Sequence, residues 1–421
     1  MPETRQSESL SFDLERARQI SSDHIDELGD GLCLDVSRVL HTNPEICFKE
    51  FKAHDVLTSY LNEQGFTVTH HAYGLETSFE ASTGDGGRQV VFCCEYDALP
   101  KIGHGCGHNL IAISSLGAFL GAARVLRELK IPGRLRILGT PAEEGGGGKA
   151  ILLDRGAFKP AEDIAAAIMA HPMPQHSLDP SGSEYSGLAG LLFLASHKFH
   201  VEFNGKPSHA AGEPWNGVNA LDAAVAAYNN IAILRQQIRP DERIHAIIEE
   251  GGLAPNVIPD YTRMHWGVRA PTIKRSELLF ERVKKCIEAA ALATGCTHKI
   301  IMSPTYLNLR ANHTLCKTYV DEMAHLGSNV QLHQDKAYTA STDMGNVSHA
   351  VPSFHGTFNI PTSPDVAIHS RPFAEAANTD EAHEAAFKCA KGMAMLALRV
   401  LTENDVSDGA RLDFEKPDVL S

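Results

Sequence analysis

Short apolar runs that end in polar side chains recur in the first half of the chain. Three of them cover residues 90–94, 134–139 and 164–170. A continuous apolar run of this length is typical of a strand that is buried on both faces, as in a parallel sheet. Apolar residues at helical spacing predict a long helix over residues 109–130. The pattern therefore predicts an α/β fold in which helices flank a mixed, mainly parallel sheet.

The order of predicted elements changes at about residue 196 and again at about residue 304. Between these points it is strand, helix, strand, strand, helix, strand, over residues 198–203, 216–235, 243–250, 258–270, 274–294 and 298–302. This β-α-β-β-α-β order is that of the ferredoxin-like split βαβ sandwich. A chain of 421 residues favours two domains. We therefore predict an inserted lid domain at 196–304 and a discontinuous catalytic domain formed by 1–195 and 305–421.

Side chains able to bind a metal ion follow each of the three buried runs. Cys106 and His108 follow the first run, Glu143 and Glu144 the second, and His171 the third. Ligands bind at the carboxyl ends of the strands in open α/β sheets. Thiolate, imidazole and carboxylate groups are ligands of zinc and similar ions. The sequence therefore predicts a metal site at this edge of the sheet.

The adjacent residues Glu143 and Glu144 begin a glycine-rich loop. On an extended loop their side chains are expected to point apart, so that one binds a metal ion while the other faces the substrate water. Metal-assisted hydrolysis needs this division, because a Lewis acid lowers the pKa of the water and a separate carboxylate takes its proton. The loop lacks the Gly-Lys-Ser/Thr ending of a phosphate-binding loop. We therefore predict that one of the two glutamates is a metal ligand and the other is the general base.

Composition and charge narrow the class of protein. A formal charge of −14 argues against a nucleic-acid partner. No apolar run approaches the roughly 20 residues that cross a bilayer, and residues 1–6 do not resemble a secretory signal. The 9 cysteines lack the spacing of a disulfide framework. We expect a cytoplasmic protein with neither a membrane nor a nucleic-acid partner.

Six short motifs run in order along nearly the whole chain. They are EYDALP from residue 95, GCGH from 105, PAEEG from 141, GKPSHA from 205, APNVIPD from 254 and IHS from 368. A chain with these motifs resembles the cocatalytic zinc peptidases and amidohydrolases, which include the aminoacylases, carboxypeptidase G and the auxin-conjugate hydrolases. Asn109 stands where auxin-conjugate hydrolases usually have an aspartate. With Asn109 and the segments 143–149 and 341–346, the chain resembles the branch of dipeptidases that act on β-alanyl and similar basic dipeptides.

The resemblance implies a set of site residues. The residues implied to bind metal are Cys106, His108, Glu144, His171 and His369. They are expected to hold one or two divalent ions, with zinc as the first expectation and manganese or cobalt as alternatives. It implies Glu143 as the general base and places Asp97 among the catalytic residues. It implies a homodimer formed through the lid, in which His209 reaches the partner's active site and stabilises the oxyanion. Asn256 and Arg269 match positions that hold the substrate's carboxylate or backbone.

These observations predict a metal-dependent amidohydrolase or dipeptidase that cleaves the amide bond of a dipeptide or an N-acyl amino acid. Because a catalyst accelerates both directions, the same site is also compatible with amide formation in a biosynthetic pathway. A cysteine hydrolase with Cys106 as nucleophile and His108 or His104 as base is another reading, but it leaves the predicted carboxylates without a role. A non-catalytic binding protein would be expected to lack the base or the ligands, and all of them are present.

Overall fold

A computed structural model describes residues 13–178, 181–182, 184–334 and 337–416. Its strands form a six-stranded catalytic sheet, a four-stranded lid sheet and a two-stranded sheet. Residues 1–6, on which the expectation about a secretory signal depends, lie outside the described residues.

The catalytic sheet is built mainly from the first half of the chain. Its strands are β1 (Val68–His70), β2 (Phe79–Asp85), β3 (Gln89–Cys94), β4 (Gly133–Gly139), β5 (Ile164–Pro174) and the late strand β12 (Ser353–Ile360), and a further strand, β6 (Gly187–Gly190), lies outside this sheet. The spatial order is β1-β2-β4-β3-β5-β12. Strands β4, β3, β5 and β12 are parallel to one another, whereas β2 is antiparallel to both of its neighbours, β1 and β4. The sheet is therefore mixed and mainly parallel, as predicted.

Helices cover both faces of this sheet. Those before the lid are α1 (Leu14–Glu27), α2 (Gly29–Gly31), α3 (Arg38–Thr42), α4 (Phe51–Glu63), α5 (His108–Glu128) and α6 (Gly148–Asp154), with a π-helical turn at Leu32–Ser37. Along β3, Val90 and Phe92 enter one core, while Val91 and Cys93 enter the other. Burial of both faces is the reason that the strand is apolar without alternation.

The lid has the predicted order of elements. They are β7 (Ala195–Asn204), α7 (Ala220–Leu234), β8 (Arg243–Glu250), β9 (Tyr261–Ala270), α8 (Ile273–Thr294) and β10 (Thr297–Met302). The sheet is antiparallel in the order β10-β7-β9-β8, so that β8 is an edge strand. Phe199, Val201 and Trp266 belong to the core beneath the two helices. The domain limits at residues 196 and 304 stay a prediction.

After the lid the chain returns to the catalytic unit. The remaining elements are α9 (His313–His325), β11 (Val330–His333), α10 (Met344–Ala350), α11 (Arg371–Ala376), α12 (Asp380–Thr402) and α13 (Asn404–Glu415). Strand β11 pairs in parallel with β6. The extended backbone of Glu403 separates helix α12 from helix α13.

Two sequence-based expectations need correction. Helix α5 is long and apolar enough to cross a membrane, although 94% of its most apolar window is buried inside the fold. It packs against α12 and α1, which explains its apolar composition. Strand β5 does not end before His171 but continues to Pro174, because this segment pairs with β12, where Thr357 is the partner of His171.

Candidate metal centre and active site

The carboxyl ends of β3, β4 and β5 bring the predicted ligands together. Cys106 lies in the turn between β3 and α5, and His108 is the first residue of α5. Gly107 between them has φ 76°, and a Cβ there would lie 2.6 Å from Pro172 Cγ. Only glycine fits this left-handed position. The turn therefore directs a thiol and an imidazole toward β5.

Five predicted ligands meet at this edge. Sγ of Cys106 lies 3.2 Å from Nε2 of His171 and 3.2 Å from Nε2 of His369. Oε1 of Glu144 lies 3.5 Å from Nε2 of His369 and 3.8 Å from Nε2 of His108. Ligand atoms within 4.8 Å of one another form two sets, Cys106 with His108 and His171, and Cys106 with Glu144 and His369. The two sets share the Cys106 thiol.

The chemistry of this cluster fits one or two divalent cations. Nε2 of His108 and Oε1 of Glu144 are buried and have no hydrogen-bond partner among the described residues. Buried polar atoms normally have a partner, so such orphan atoms need an explanation. A thiol, imidazoles and a carboxylate are the donors that zinc and similar ions prefer. The cluster is therefore suited to hold such ions.

The Cys106 thiol lacks the features of a free nucleophile. Burial, followed by the charge of Glu144, raises its pKa well above the ordinary value. An activated cysteine needs a lowered pKa. His104, the alternative base, stacks on His41 at 6.2 Å, and burial lowers its pKa to about 3. Among the described residues no contact joins the His104 ring to Cys106. The cysteine-hydrolase reading is not supported.

Asp97 holds the ring of His108. Oδ1 of Asp97 lies 3.1 Å from Nδ1 of His108, and Oδ2 accepts the N–H of Glu144 at 3.0 Å. Burial works to raise the pKa of Asp97, but the hydrogen bond and charge of His108 outweigh it and lower this pKa. A carboxylate on one ring nitrogen commonly fixes the tautomer of a metal-binding histidine. Asp97 therefore directs Nε2 of His108 toward the cluster.

The Glu143–Glu144 segment is a turn, and the expectation of an extended loop with divergent side chains is wrong. Ala142 has φ 63°, and its carbonyl accepts the N–H of Gly146 at 3.0 Å. As a result Oε2 of Glu143 and Oε1 of Glu144 lie 4.0 and 3.8 Å from the same nitrogen, Nε2 of His108. Burial, then the charges of Glu95 and Glu144, raises the pKa of Glu143 well above its ordinary value. Such a carboxylate is suited to accept a proton.

A buried ion-pair network lies beside these glutamates. Nζ of Lys149 donates to Oε1 of Glu95 at 2.5 Å and to Oδ1 of Asp343 at 2.7 Å. Burial lowers the pKa of Lys149, but the two carboxylates outweigh this effect and raise it. Glu95, His108 and Glu143 form a further group of close ligand atoms. Because Lys149 already neutralises Glu95, we regard Glu95 as a support for the site. Glu95, Lys149 and Asp343 lie in motifs noted in the sequence, but the sequence did not predict that they form this network.

Two further residues hold the same turn and were missed in the sequence. Oε1 of Glu50 accepts the N–H of Ala142 at 3.0 Å, and Oε2 accepts the hydroxyl of Thr77 at 2.8 Å. The hydroxyl of Tyr306 donates to the carbonyl of Glu143 at 2.5 Å. These residues lie far from the turn in sequence, so no local pattern could have revealed the contacts.

The lid residues fall into two groups. Arg269 is partly buried, and its Nη1 donates to Oγ of Ser341 at 2.9 Å. His209 and Asn256 are exposed on neighbouring loops, where the N–H of Ala210 donates to the carbonyl of Asn256 at 3.0 Å. Neither His209 nor Asn256 contacts the metal-binding cluster within the described part of the chain. The structure thus brings these two together, but at a surface of the lid.

The ring of His209 has a defined orientation. Its Nδ1 accepts the backbone N–H groups of Ala211 at 3.2 Å and Gly212 at 2.9 Å. In the neutral imidazole one nitrogen accepts and the other donates. The proton of His209 is therefore carried on Nε2, which makes this exposed nitrogen a donor.

Comparison with known proteins agrees with this geometry. The sequence model of peptidase family M20/M25/M40 matches residues 93–396. The Xaa-Arg dipeptidase of Mus musculus is 39% identical over 424 residues, which cover 97% of this chain and 94% of the mouse protein.

Solved structures show the same fold. An aminobenzoyl-glutamate utilization protein from Klebsiella pneumoniae has a TM-score of 0.68 at 17% identity, covering 91% of this chain and 98% of that one. A dinuclear metal-binding peptidase of the M20 family from Bacillus subtilis has a TM-score of 0.64 at 20% identity, covering 89% and 99%. The predicted fold class is confirmed. The chain therefore belongs to peptidase family M20/M25/M40 and is a metal-dependent hydrolase of peptide or amide bonds.

Proposed function

We propose that this enzyme is a zinc-dependent dipeptidase that prefers dipeptides with a basic C-terminal residue. The observation that carries the proposal is the convergence of Glu143 with the cysteine, histidine and glutamate ligands at one sheet edge. The similarity to the Xaa-Arg dipeptidase over nearly the whole chain supports the preference for a basic residue.

The proposed roles follow from the positions of the side chains. The residues that would hold one or two zinc ions are Cys106, His108, Glu144, His171 and His369. When bound, the ions would supply Lewis acidity, which lowers the pKa of a water molecule and polarises a carbonyl group. Glu143 takes a proton from the attacking water and delivers it to the leaving nitrogen as the carbon–nitrogen bond breaks. Its raised pKa favours holding the proton between these steps.

We propose that Arg269 binds the free carboxylate of the substrate. No ion pair with an acid is formed by Arg269 in the described parts of the chain, and Ser341 fixes its guanidinium. A guanidinium offers paired N–H donors that match a carboxylate. The carboxylate of the released amino acid would then anchor the substrate beside the cluster.

We propose a homodimer formed through the lid. Strand β8 has an unpaired edge, and the apolar side chains of Ile247 and Ile248 on it are exposed. Val225 and Tyr228 on helix α7 are exposed as well. An open edge strand can pair with a second copy of the same chain in a symmetric dimer. In such a dimer the exposed His209 can complete the partner's site.

We also propose that the enzyme works in the cytoplasm. The 9 cysteines are all free thiols in the structure. Free thiols persist in a reducing compartment, and a thiol ligand such as Cys106 has to stay reduced. Fractionation of cells that produce the protein would test this expectation, and recovery mainly from a secreted fraction would contradict it.

A substrate panel tests the proposed reaction. Metal-depleted protein is reconstituted with zinc and assayed with Ala-Arg, β-Ala-Lys, Ala-Glu, N-acetylalanine and p-aminobenzoyl-glutamate. We expect the highest kcat/KM for the two basic dipeptides, with loss of turnover after chelation and recovery after zinc is returned. A higher kcat/KM for N-acetylalanine or p-aminobenzoyl-glutamate would overturn the proposed preference, while the assignment as a hydrolase would stand.

A further inference from the structure

The open face of the lid sheet carries a second cluster of metal-binding side chains. Helices α7 and α8 cover the opposite face, where Phe199, Val201 and Met264 are buried. His200 on β7 and His265 on β9 are direct partners in the antiparallel register. Their rings stack with centroids 4.3 Å apart and an interplanar angle of 15°. The two imidazoles therefore lie side by side on the open face.

Glu249 adds a carboxylate from the third strand. The register of β8 against β9 shifts between Ile248 and Glu250, so Glu249 is an inserted residue. Such bulges often redirect a side chain at functional positions. Oε1 of Glu249 lies 3.4 Å from Nε2 of His200 and 3.8 Å from Nδ1 of His265. The bulge thus brings a carboxylate to the histidine pair.

The spacing of these atoms suits a small divalent cation. All three ligand atoms lie within 4.8 Å of one another. Ligands about 2.0–2.2 Å from a tetrahedral zinc ion are about 3.3–3.6 Å apart. The side chains of His200, Glu249 and His265 are 21%, 30% and 37% exposed, so an ion can reach them from solvent. Only small side-chain movements separate this arrangement from coordination.

We propose that His200, Glu249 and His265 form an additional binding site for zinc or a similar divalent ion, separate from the catalytic cluster. Three protein ligands would leave a position for water or another group. The ligands come from three adjacent strands, so a bound ion joins the edge strand β8 to β9 and β7. The consequence is a more stable pairing of β8 with β9.

Neighbouring charges set the expected strength of this site. Nε of Arg263 lies 3.0 Å from Oε2 of Glu249. This pairing fixes the carboxylate but also neutralises its charge. Lys198 lies on the same strand and face as His200. We therefore expect weaker zinc binding here than at the catalytic cluster, where five candidate ligands, one of them a thiol, lie close together.

The test counts zinc ions in the full-length protein. Metal-depleted parent, His265→Asn and Glu249→Gln proteins are dialysed against a series of buffered concentrations of zinc alone, and bound metal is measured by mass spectrometry. The matched control is His298→Asn, which removes an exposed histidine of the lid strand β10 that belongs to no metal-binding set found among the described residues. We expect the parent and the control to bind one zinc per chain more than the two site variants, with dipeptide turnover unchanged in all four.

Two results would overturn the proposal. One is equal zinc stoichiometry in all four proteins at every concentration below about 1 mM, the limit of weak binding. The other is loss of zinc in the site variants together with loss of turnover, which would assign the missing ion to the catalytic cluster. Should His265→Asn fail to fold, as judged by circular dichroism, His200→Gln takes its place. The cobalt-substituted parent should also show a visible absorption component that Glu249→Gln lacks, and its presence in both would count against the site.

Discussion

The carboxylate of Asp97 lies 3.1 Å from Nδ1 of His108, and both side chains are fully buried. The second oxygen of the same carboxylate accepts the backbone N–H of Glu144 at 3.0 Å. One aspartate therefore holds both the imidazole of His108 and the backbone of Glu144. We infer that Asp97 is a positioning residue for two of the proposed zinc ligands.

Replacing Asp97 by asparagine tests this role. The asparagine side chain has only one acceptor oxygen, so it cannot accept hydrogen bonds from both His108 and Glu144. Loss of such an outer partner typically costs 10–100-fold in metal affinity or activity, and we expect a decrease of about this size. Zinc affinity is measured by competition with a chromophoric chelator, and kcat is measured at saturating zinc. Exposed Asp85→Asn serves as control. Parental zinc affinity and kcat in Asp97→Asn would contradict the assignment.

Glu143 and Glu144 should have different functions, although both side chains face His108. Glu143→Gln removes the proposed base, so kcat should fall by about 10²–10⁴-fold or more while bound zinc is retained. Glu144→Gln removes a proposed ligand and should lower the zinc content itself. Steady-state kinetics and metal analysis of both variants check the pair. A fully active Glu143→Gln enzyme would show that another group takes the proton.

Glu50 should make the stability of the enzyme depend on pH. Burial, and then the charge of Asp97, raises the pKa of Glu50 from 4.5 to about 7. Its stabilising contribution is therefore fully present below pH 4.5 and is lost as the pH rises through about 7. Glu50→Gln cannot titrate, so the stability of the parent relative to this variant should fall by about 2–3 kcal/mol over that range.

Urea denaturation of both proteins at pH 5 and pH 8, with the same zinc concentration, measures this difference. Glu45→Gln is the matched control, because Glu45 lies in the same segment and is only partly buried. The pH dependence of zinc binding is common to all three proteins and cancels in the comparison. An equal change with pH for the parent and Glu50→Gln would contradict the prediction.

His209 should act in the partner's active site. Its Nε2 is an exposed donor, and a donor to the oxyanion is typically worth about 2.7–4 kcal/mol in the transition state. His209→Ala should therefore lower kcat about 10²–10³-fold, with a smaller effect on KM and unchanged zinc content.

Mixing two inactive variants distinguishes action within a chain from action across the dimer. A heterodimer of His209→Ala and Glu143→Gln holds one site with both residues intact if they come from different chains. About half of the parental activity per heterodimer is then expected. Differential tagging shows whether heterodimers form. Heterodimers that form but have no activity would mean that His209 acts in the active site of its own chain or has only a structural role in its loop.

The sequence by itself determined the alternation of elements and the identity of the ligand candidates. Buried parallel strands require uninterrupted apolar runs, so β3 and β4 were predicted close to their observed limits, while the predicted β5 ended before the observed Pro174. Because such strands end at one edge, the sequence also predicted that the ligands after β3 and β4 and His171 near the end of β5 would meet. The two late strands β11 and β12 were missed, since their short apolar segments have no distinctive period.

Only the tertiary structure decided how the ligand-bearing turn is shaped. The left-handed backbone of Ala142 turns both glutamates toward His108, against the extended loop expected from sequence. Glu50 and Tyr306 hold this turn from distant segments. A hydrogen bond between residues far apart in the chain depends on the packing of whole elements. Local sequence periodicity carries no information about that packing, so these contacts became visible only in the fold.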